Sequence, residues 1–325
     1  MRSFKNTGAA LGILIVLAGI LWAADLMLYP CTFTRNDVHA VSTKTFDDVF
    51  VGTSHGKMNI DPETMEQVNG RTGHNLCVGG EYPEDVLYLV KLMIEKGHAP
   101  GRIVYEVSPG YFVREKEEGN NYLLFFHEFP LSAAKLSYFR TSVLKRDFRT
   151  LFFPWYEYDL SYELSHAGET VKTKLSGDYS AKAFATEKQR YHANGFIERY
   201  PVDVTEFIDD EVDEWFPEDI VEKNMEYLGE LIRLCKEQDI AFVAVTTPLP
   251  DQTLEEASEG SAALNTYYTE YFEKAGVPYY NFNYGEYYDR TEHALRCFTD
   301  LDGHMNGDAA REFSGVLAEV LGKAQ

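Results

Sequence analysis

Apolar and polar positions along the chain change rhythm several times. Residues 9–24 form an unbroken apolar run, and apolar character resumes after Asp25 with Leu26, Met27 and Leu28. With its flanks this run approaches the ~20 residues that a membrane-spanning helix requires. From residue 46 the pattern breaks into strand-length apolar runs separated by segments of helical spacing. Residues 46–51 read as a short strand that ends in small residues, residues 85–96 have helical apolar spacing stopped by Gly97, and residues 103–107 are a β-branched run suited to a buried strand. The same rhythm returns after residue 216. Met225, Leu228, Leu231, Ile232 and Cys235 share one helical face, residues 240–247 form a buried strand stopped by Pro248, residues 267–274 read as a helix, 277–282 as a last strand and 309–321 as a terminal helix. Strands alternating with helices predict an α/β fold with a parallel sheet and right-handed crossovers. Such sheets carry their chemistry at the carboxyl ends of the strands, where Ser54, Gly80 and Ser108 fall.

The rhythm is interrupted between residues 113 and 216. Residues 122–126, 131–149 and 151–156 are aromatic-rich, and Lys135, Arg140, Lys145, Arg146 and Arg149 are concentrated among them. This predicts a helical insertion whose aromatic side chains pack onto the main sheet; the alternative is a cap that shapes a cleft or docks a membrane partner. Residues 191–196 read as a loop returning over the site. The predicted organisation is therefore a signal-anchor transmembrane helix over residues 1–30, followed by one α/β domain over 31–325 with the insertion at about 113–216. Arg2 and Lys5 precede the apolar run and place its start in the cytoplasm, with the domain outside a bacterial-type plasma membrane as a single-pass protein. Signal-peptidase cleavage after Ala24 would put Trp22 at minus three, and Leu28-Tyr29-Pro30 before Cys31 does not suit a lipoprotein, so the anchor is expected to be uncleaved.

Composition narrows the partners. At 325 residues and 45% hydrophobic, the chain can bury one substantial core plus an insertion. A formal net charge of −22 repels nucleic acid and strongly anionic lipid surfaces. Cys31, Cys77, Cys235 and Cys297 are too scattered for a metal site or a dense disulfide framework, with Cys235 on an apolar helix face. Neither a metal nor a cofactor is expected.

The candidate chemistry lies at the two ends of the domain. Ser54 follows the first strand, and a serine hydroxyl becomes a nucleophile only beside a base held by a carboxylate. His304 supplies a base among Asp300, Asp302 and Asp308, just before the terminal helix. Met305 stands where an EF-hand loop needs glycine, so residues 300–308 do not read as a calcium site. Gly52-Thr53-Ser54-His55-Gly56 matches the G-x-S-x-G nucleophile elbow. In the α/β-hydrolase fold, however, several strands precede that elbow and the acid and histidine come from separate loops.

The placement instead resembles the SGNH/GDSL hydrolase superfamily, in particular its membrane-anchored branch for cell-envelope acyl transfer, such as the D-alanyl-transfer protein DltD and the alginate-acetylation proteins. Gly52-Thr53-Ser54-His55 resembles the first block, Asn75 to Glu81 the second and Asp300 to Asn306 the last. The resemblance implies a three-layer α/β/α flavodoxin-like domain and a triad of Ser54, His304 and Asp302, with Asp300 as the alternative acid. It implies an oxyanion hole from the N–H groups of Ser54 and Gly80, with Thr247 at the substrate. His55, next to Ser54 on a backbone expected to be extended, should point away from the serine and take a structural or pocket-edge role at the substrate. Two departures stand out: Leu301 occupies the superfamily's usual acid position, and no asparagine follows the third strand at residues 103–110. The expected activity is that of a serine esterase or O-acyltransferase acting on ester-linked acyl groups of an envelope glycan, with a membrane-bound O-acyltransferase as the partner that the resemblance implies. The alternative is a catalytically degenerate scaffold partnering that acyltransferase.

Overall fold

The computed structural model describes residues 2–116, 125–145, 153, 155, 160–176 and 184–323. Tyr122, Leu123, Leu124, Arg146, Arg149 and most of residues 151–156 lie outside the described residues. The strands are β1 (Asp48–Val51), β2 (Gly73–Asn75), β3 (Arg102–Glu106), β4 (Gln189–Tyr191), β5 (Ile197–Arg199), β6 (Ala241–Thr246) and β7 (Tyr279–Asn281). β4 and β5 pair antiparallel as a separate hairpin. The other five form one parallel sheet in the order β2-β1-β3-β6-β7, the doubly wound order whose chain direction across the sheet reverses between β1 and β3. Asp48 and Arg102 sit opposite each other at the start of β1 and β3. Their buried pair, with Arg102 Nη2 2.7 Å from Asp48 Oδ2, pins this register.

The strands alternate with period two between the sheet's faces. Val49, Val51, Ile103, Tyr105, Phe242 and Ala244 face one apolar layer, whereas Phe50, Val104, Val243 and Val245 face the other. Because both faces are covered, the central strands β1, β3 and β6 read as largely apolar runs.

In chain order the helices begin with α1 (Arg2–Leu28), α2 (Phe33–Thr43), α3 (Ser54–Asn59), α4 (Pro62–Asn69) and α5 (Pro83–Lys96). α5 starts on a proline, has its first turn tied by Asp85 accepting the Tyr82 N–H at 3.1 Å, and stops at Gly97 in the left-handed region. Next come α6 (Pro109–Phe112), α7 (Ala133–Thr141), α8 (Leu160–Ser176) and α9 (Glu222–Glu237), then α10 (Asp251–Glu256), α11 (Ser258–Ala275), α12 (Gly285–Tyr288) and α13 (Gly307–Lys323). Helices α5, α9 and α11 cover the first face and α4 and α13 the second, giving three layers. On α9 the predicted face is inward: Leu228, Leu231 and Cys235 are buried, each large aliphatic contributing about 1.5–3 kcal/mol.

The insertion extends this core. Phe125, Phe126, Phe129 and Tyr138 are buried with the α5 layer, and Tyr138 stacks on Tyr88 with ring centroids 4.5 Å apart. Lys135 donates to the Phe129 carbonyl at 2.7 Å and lies over the Phe126 ring, so this lysine is used internally. The insertion is not wholly helical, because it contains the β4–β5 hairpin. The loop expected over the active site is that hairpin's turn, and it goes elsewhere. Asn194 accepts the Asn75 N–H at 2.8 Å beyond the edge strand β2, and a Cβ on Gly195 would lie 1.9 Å from the Asn75 carbonyl. The hairpin thus seals an open edge.

Gly8–Leu28 of α1 is long and apolar enough to cross a membrane, exposed from Gly8 to Ile20 and half-buried over most of its last two turns. Four residues later α2 enters the domain, burying Asp37, Val38 and Val41. Cys77, Cys235 and Cys297 are buried unpaired thiols.

Candidate active site

Ser54 sits where β1 gives way to α3, at the reversal point of the sheet. The turn is sharp. Gly52 has φ +133°, and a Cβ there would lie 2.6 Å from the Glu106 carbonyl oxygen, so only glycine lets β1 and β3 approach so closely. Two buried carboxylates hold the next two amides. Glu81 accepts the Gly52 N–H at 3.0 Å, while Glu106 accepts the Thr53 N–H at 2.8 Å and the Thr53 hydroxyl at 2.7 Å. Burial pushes the Glu81 carboxyl well above its ordinary value despite the opposing Gly52 bond, and its second oxygen has no partner among the described residues.

His304 arrives from the opposite end of the chain. The loop before α13 folds on itself, with Phe298 bridging Met305 and the Thr299 N–H donating to the His304 carbonyl at 2.8 Å. Asp300 organises it: one oxygen accepts the N–H groups of Gly303 at 3.2 Å and His304 at 3.1 Å, and the other lies 2.8 Å from His304 Nδ1. His304 Nε2 lies 2.8 Å from Ser54 Oγ. With Nδ1–H donated to Asp300, Nε2 is the nitrogen that accepts the serine proton. Burial alone would raise the Asp300 carboxyl, but the hydrogen bond and charge of His304 outweigh it and hold the carboxyl below its ordinary range.

The carboxylate in place is therefore Asp300, not the favoured Asp302. Gly303 turns the chain at φ +104°, folding the residue four positions back, rather than two, beside the imidazole. The Asp302 side chain is exposed, and its backbone carbonyl instead lies 2.6 Å from His55 Nε2. Ligand atoms of Asp300, Asp302 and His304 lie within 4.8 Å of one another. Both nitrogens of His304 are already engaged by Asp300 and Ser54, which leaves no imidazole nitrogen free for an ion.

The remaining predicted residues also converge. His55 lines the cavity as a pocket-edge residue, though α3 begins at Ser54, so the backbone there is helical rather than extended. Its ring stacks on His304 at 4.7 Å and 9°. Burial first, then the neighbouring His304 charge, lowers the His55 pKa. Thr247 is buried, lines the cavity, and accepts the Asn59 amide at 3.1 Å. Of the two glycines in the second block, Gly79 lies against the nucleophile, since a Cβ there would be 3.5 Å from Ser54 Cβ. The Gly80 N–H, expected at the oxyanion, donates to the Tyr111 hydroxyl at 3.1 Å.

Three supporting residues were not foreseen. Glu81 and Glu106 brace the turn, and buried Asn59 ties α3 to the histidine loop through the Gly303 carbonyl at 2.9 Å and the Met305 N–H at 2.8 Å. Glu106 closes an otherwise apolar run, and that placement is the one signal available in advance.

Ser54 and His304 open onto a cavity of about 380 Å³ whose lining includes Trp215, Tyr268, Tyr279, Asn265 and Asn281. The Tyr268 hydroxyl is buried without a partner among the described residues.

No family model and no curated protein matches this chain. Among solved structures it is similar to a candidate acylhydrolase of Bacteroides fragilis (11% identity, TM-score 0.39, 85% of this chain and 86% of that one). It is also similar to a GDSL-like lipase of Bacteroides thetaiotaomicron (10% identity, TM-score 0.39, 86% and 88%). Likeness at this level leaves the chemistry to be read from the residues themselves.

Proposed function

We propose that this chain is a serine esterase or O-acyltransferase of the SGNH/GDSL type, anchored by α1 outside a plasma membrane and acting on acyl esters of an envelope glycan. The observation that carries the reading is the unbroken relay from Ser54 Oγ through His304 to Asp300, with 2.8 Å at each step, at the mouth of a cavity. His304 Nε2 takes the Ser54 proton as Oγ attacks the ester carbonyl, and Asp300 holds the imidazole and stabilises its charged form. The same imidazole then protonates the leaving alcohol. Water or a second hydroxyl, deprotonated by His304, releases the acyl group from Ser54 and restores the serine. Water as acceptor makes an esterase; a sugar hydroxyl makes a transferase.

The cavity supports a substrate larger than a short acyl group. Its aromatic rings beside amide side chains suit a ring of hydroxyls, and the unpartnered Tyr268 hydroxyl offers such a group a hydrogen bond. Intact relay geometry weighs against a degenerate scaffold.

The test uses the full chain in detergent with a fluorophosphonate probe and p-nitrophenyl acetate, beside Ser54→Ala and His304→Ala. Labelling and turnover that vanish in both variants are expected. A folded wild-type protein that neither labels nor turns over would sink the reading.

A further inference from the structure

The Gly80 N–H donates to a tyrosine, and the loop after β3 supplies no asparagine; both facts meet at one side chain. Tyr111 lies on α6, in the stretch that follows β3, and lines the same cavity as Ser54 and His304. Its hydroxyl oxygen accepts the Gly80 N–H at 3.1 Å, and Gly80 follows directly on Gly79, the residue packed against Ser54. The ring is held edge-on by Tyr82, with centroids 5.7 Å apart and planes at 84°.

A phenol has one proton to donate and lone pairs to accept. Here an acceptor site is filled by Gly80, while no acceptor for the Tyr111 O–H proton is found among the described residues. Accepting the Gly80 bond polarises the O–H and strengthens it as a donor. Burial raises the Tyr111 pKa, which keeps the proton on the oxygen at neutral pH.

We infer that Tyr111 is a side-chain donor to the oxyanion, taking the part left open by the absent asparagine and relaying the Gly80 amide to the developing charge. This rests on the serine-acyl chemistry proposed above. When Ser54 attacks, the carbonyl π pair moves onto oxygen, and the Tyr111 O–H hydrogen-bonds that oxygen without giving up its proton. When the carbonyl re-forms and the alcohol leaves, the bond weakens again. The tyrosine is therefore a catalytic residue by contact with the reacting atom, although it exchanges no proton with the substrate.

The experiment compares wild type, Tyr111→Phe and Ser54→Ala on p-nitrophenyl acetate and on its thionoester counterpart, whose sulfur anion accepts hydrogen bonds poorly. The phenylalanine variant keeps the ring against Tyr82 and removes the one donor. It is expected to lower kcat on the oxygen ester by about 10²-fold with little change in KM, and to lose much less on the thionoester. An unchanged kcat, or equal losses on both esters, would overturn the assignment, equal losses pointing to a merely structural side chain. If the variant does not fold, as judged by its thermal melt, 3-fluorotyrosine at position 111 keeps the shape and alters the donor; an identical rate ratio for the two esters would again overturn it. Turnover that persists in Ser54→Ala, or wild type without turnover, removes the underlying serine chemistry and this role with it.

Discussion

At the scale of single residues the decisive choice is between two aspartates two positions apart. The resemblance favours Asp302, yet Asp300 meets the imidazole because Gly303 turns the loop back on itself. Asp300→Asn is expected to lower kcat for p-nitrophenyl acetate by roughly 10⁴-fold, since an amide favours the wrong histidine tautomer. Asp302→Asn should leave kcat within about two-fold, because its carboxylate is exposed and its backbone carbonyl is retained. The pairing of Ser54 with His304 was legible because serine and histidine carry their chemistry in their identity. The acid was not, since any of three nearby carboxylates would serve and only the loop's fold selects one. Glu81 gives a second prediction. Its carboxyl is raised by burial, so the folded protein holds a proton that the unfolded chain releases, and stability falls as pH rises from the ordinary carboxylate value toward the raised one. Thermal melts of wild type and Glu81→Gln should nearly coincide below the ordinary carboxylate value, and the wild type should fall progressively behind as the pH rises above it.

Among the elements, the edge strand β2, Gly73-His74-Asn75, carries no apolar run and was not foreseen, whereas β1, β3 and β6 were the most legible because they are apolar on both faces and are soon followed by glycine or proline. The helix over residues 224–236 was read correctly for the same reason, as its inward face is a pure period of 3.6. The β4–β5 hairpin escaped notice: three-residue strands leave too short a pattern, and what stabilises the turn is the backbone of Asn75, distant in sequence. In the aromatic stretch Phe125, Phe126, Phe129 and Tyr138 are buried, whereas Leu131 and Leu136 between them are exposed, a split that aromatic content alone does not reveal. Gly52→Ala tests the tightest junction. Its forbidden φ and the 2.6 Å approach to Glu106 should cost at least about 1–3 kcal/mol in a denaturant melt, with activity falling alongside. Leu231→Ala, in the core and remote from the serine, should cost about 2–5 kcal/mol yet leave kcat unchanged below its lowered melting temperature.

For the whole molecule, the apolar α1 predicts where the protein is found. The full chain should sediment with membranes, resist a high-salt wash and be released by detergent; release by salt alone would remove the anchored reading. Alternating strand and helix runs gave the class of fold, but the two ends of the domain revealed more together than apart. The hydrogen bond between Ser54 and His304 joins residues 250 positions apart, so almost the entire domain is a single closed loop. Closing it costs roughly 5 kcal/mol in chain entropy, recovered only when the last helix docks. On the proposed chemistry, a chain emerging amino end first carries Ser54 long before the loop that brings His304 to it. Loss of the segment from Thr299 onward would leave Ser54 without the imidazole and carboxylate beside it, so the proposed relay exists only in a chain that has closed this loop.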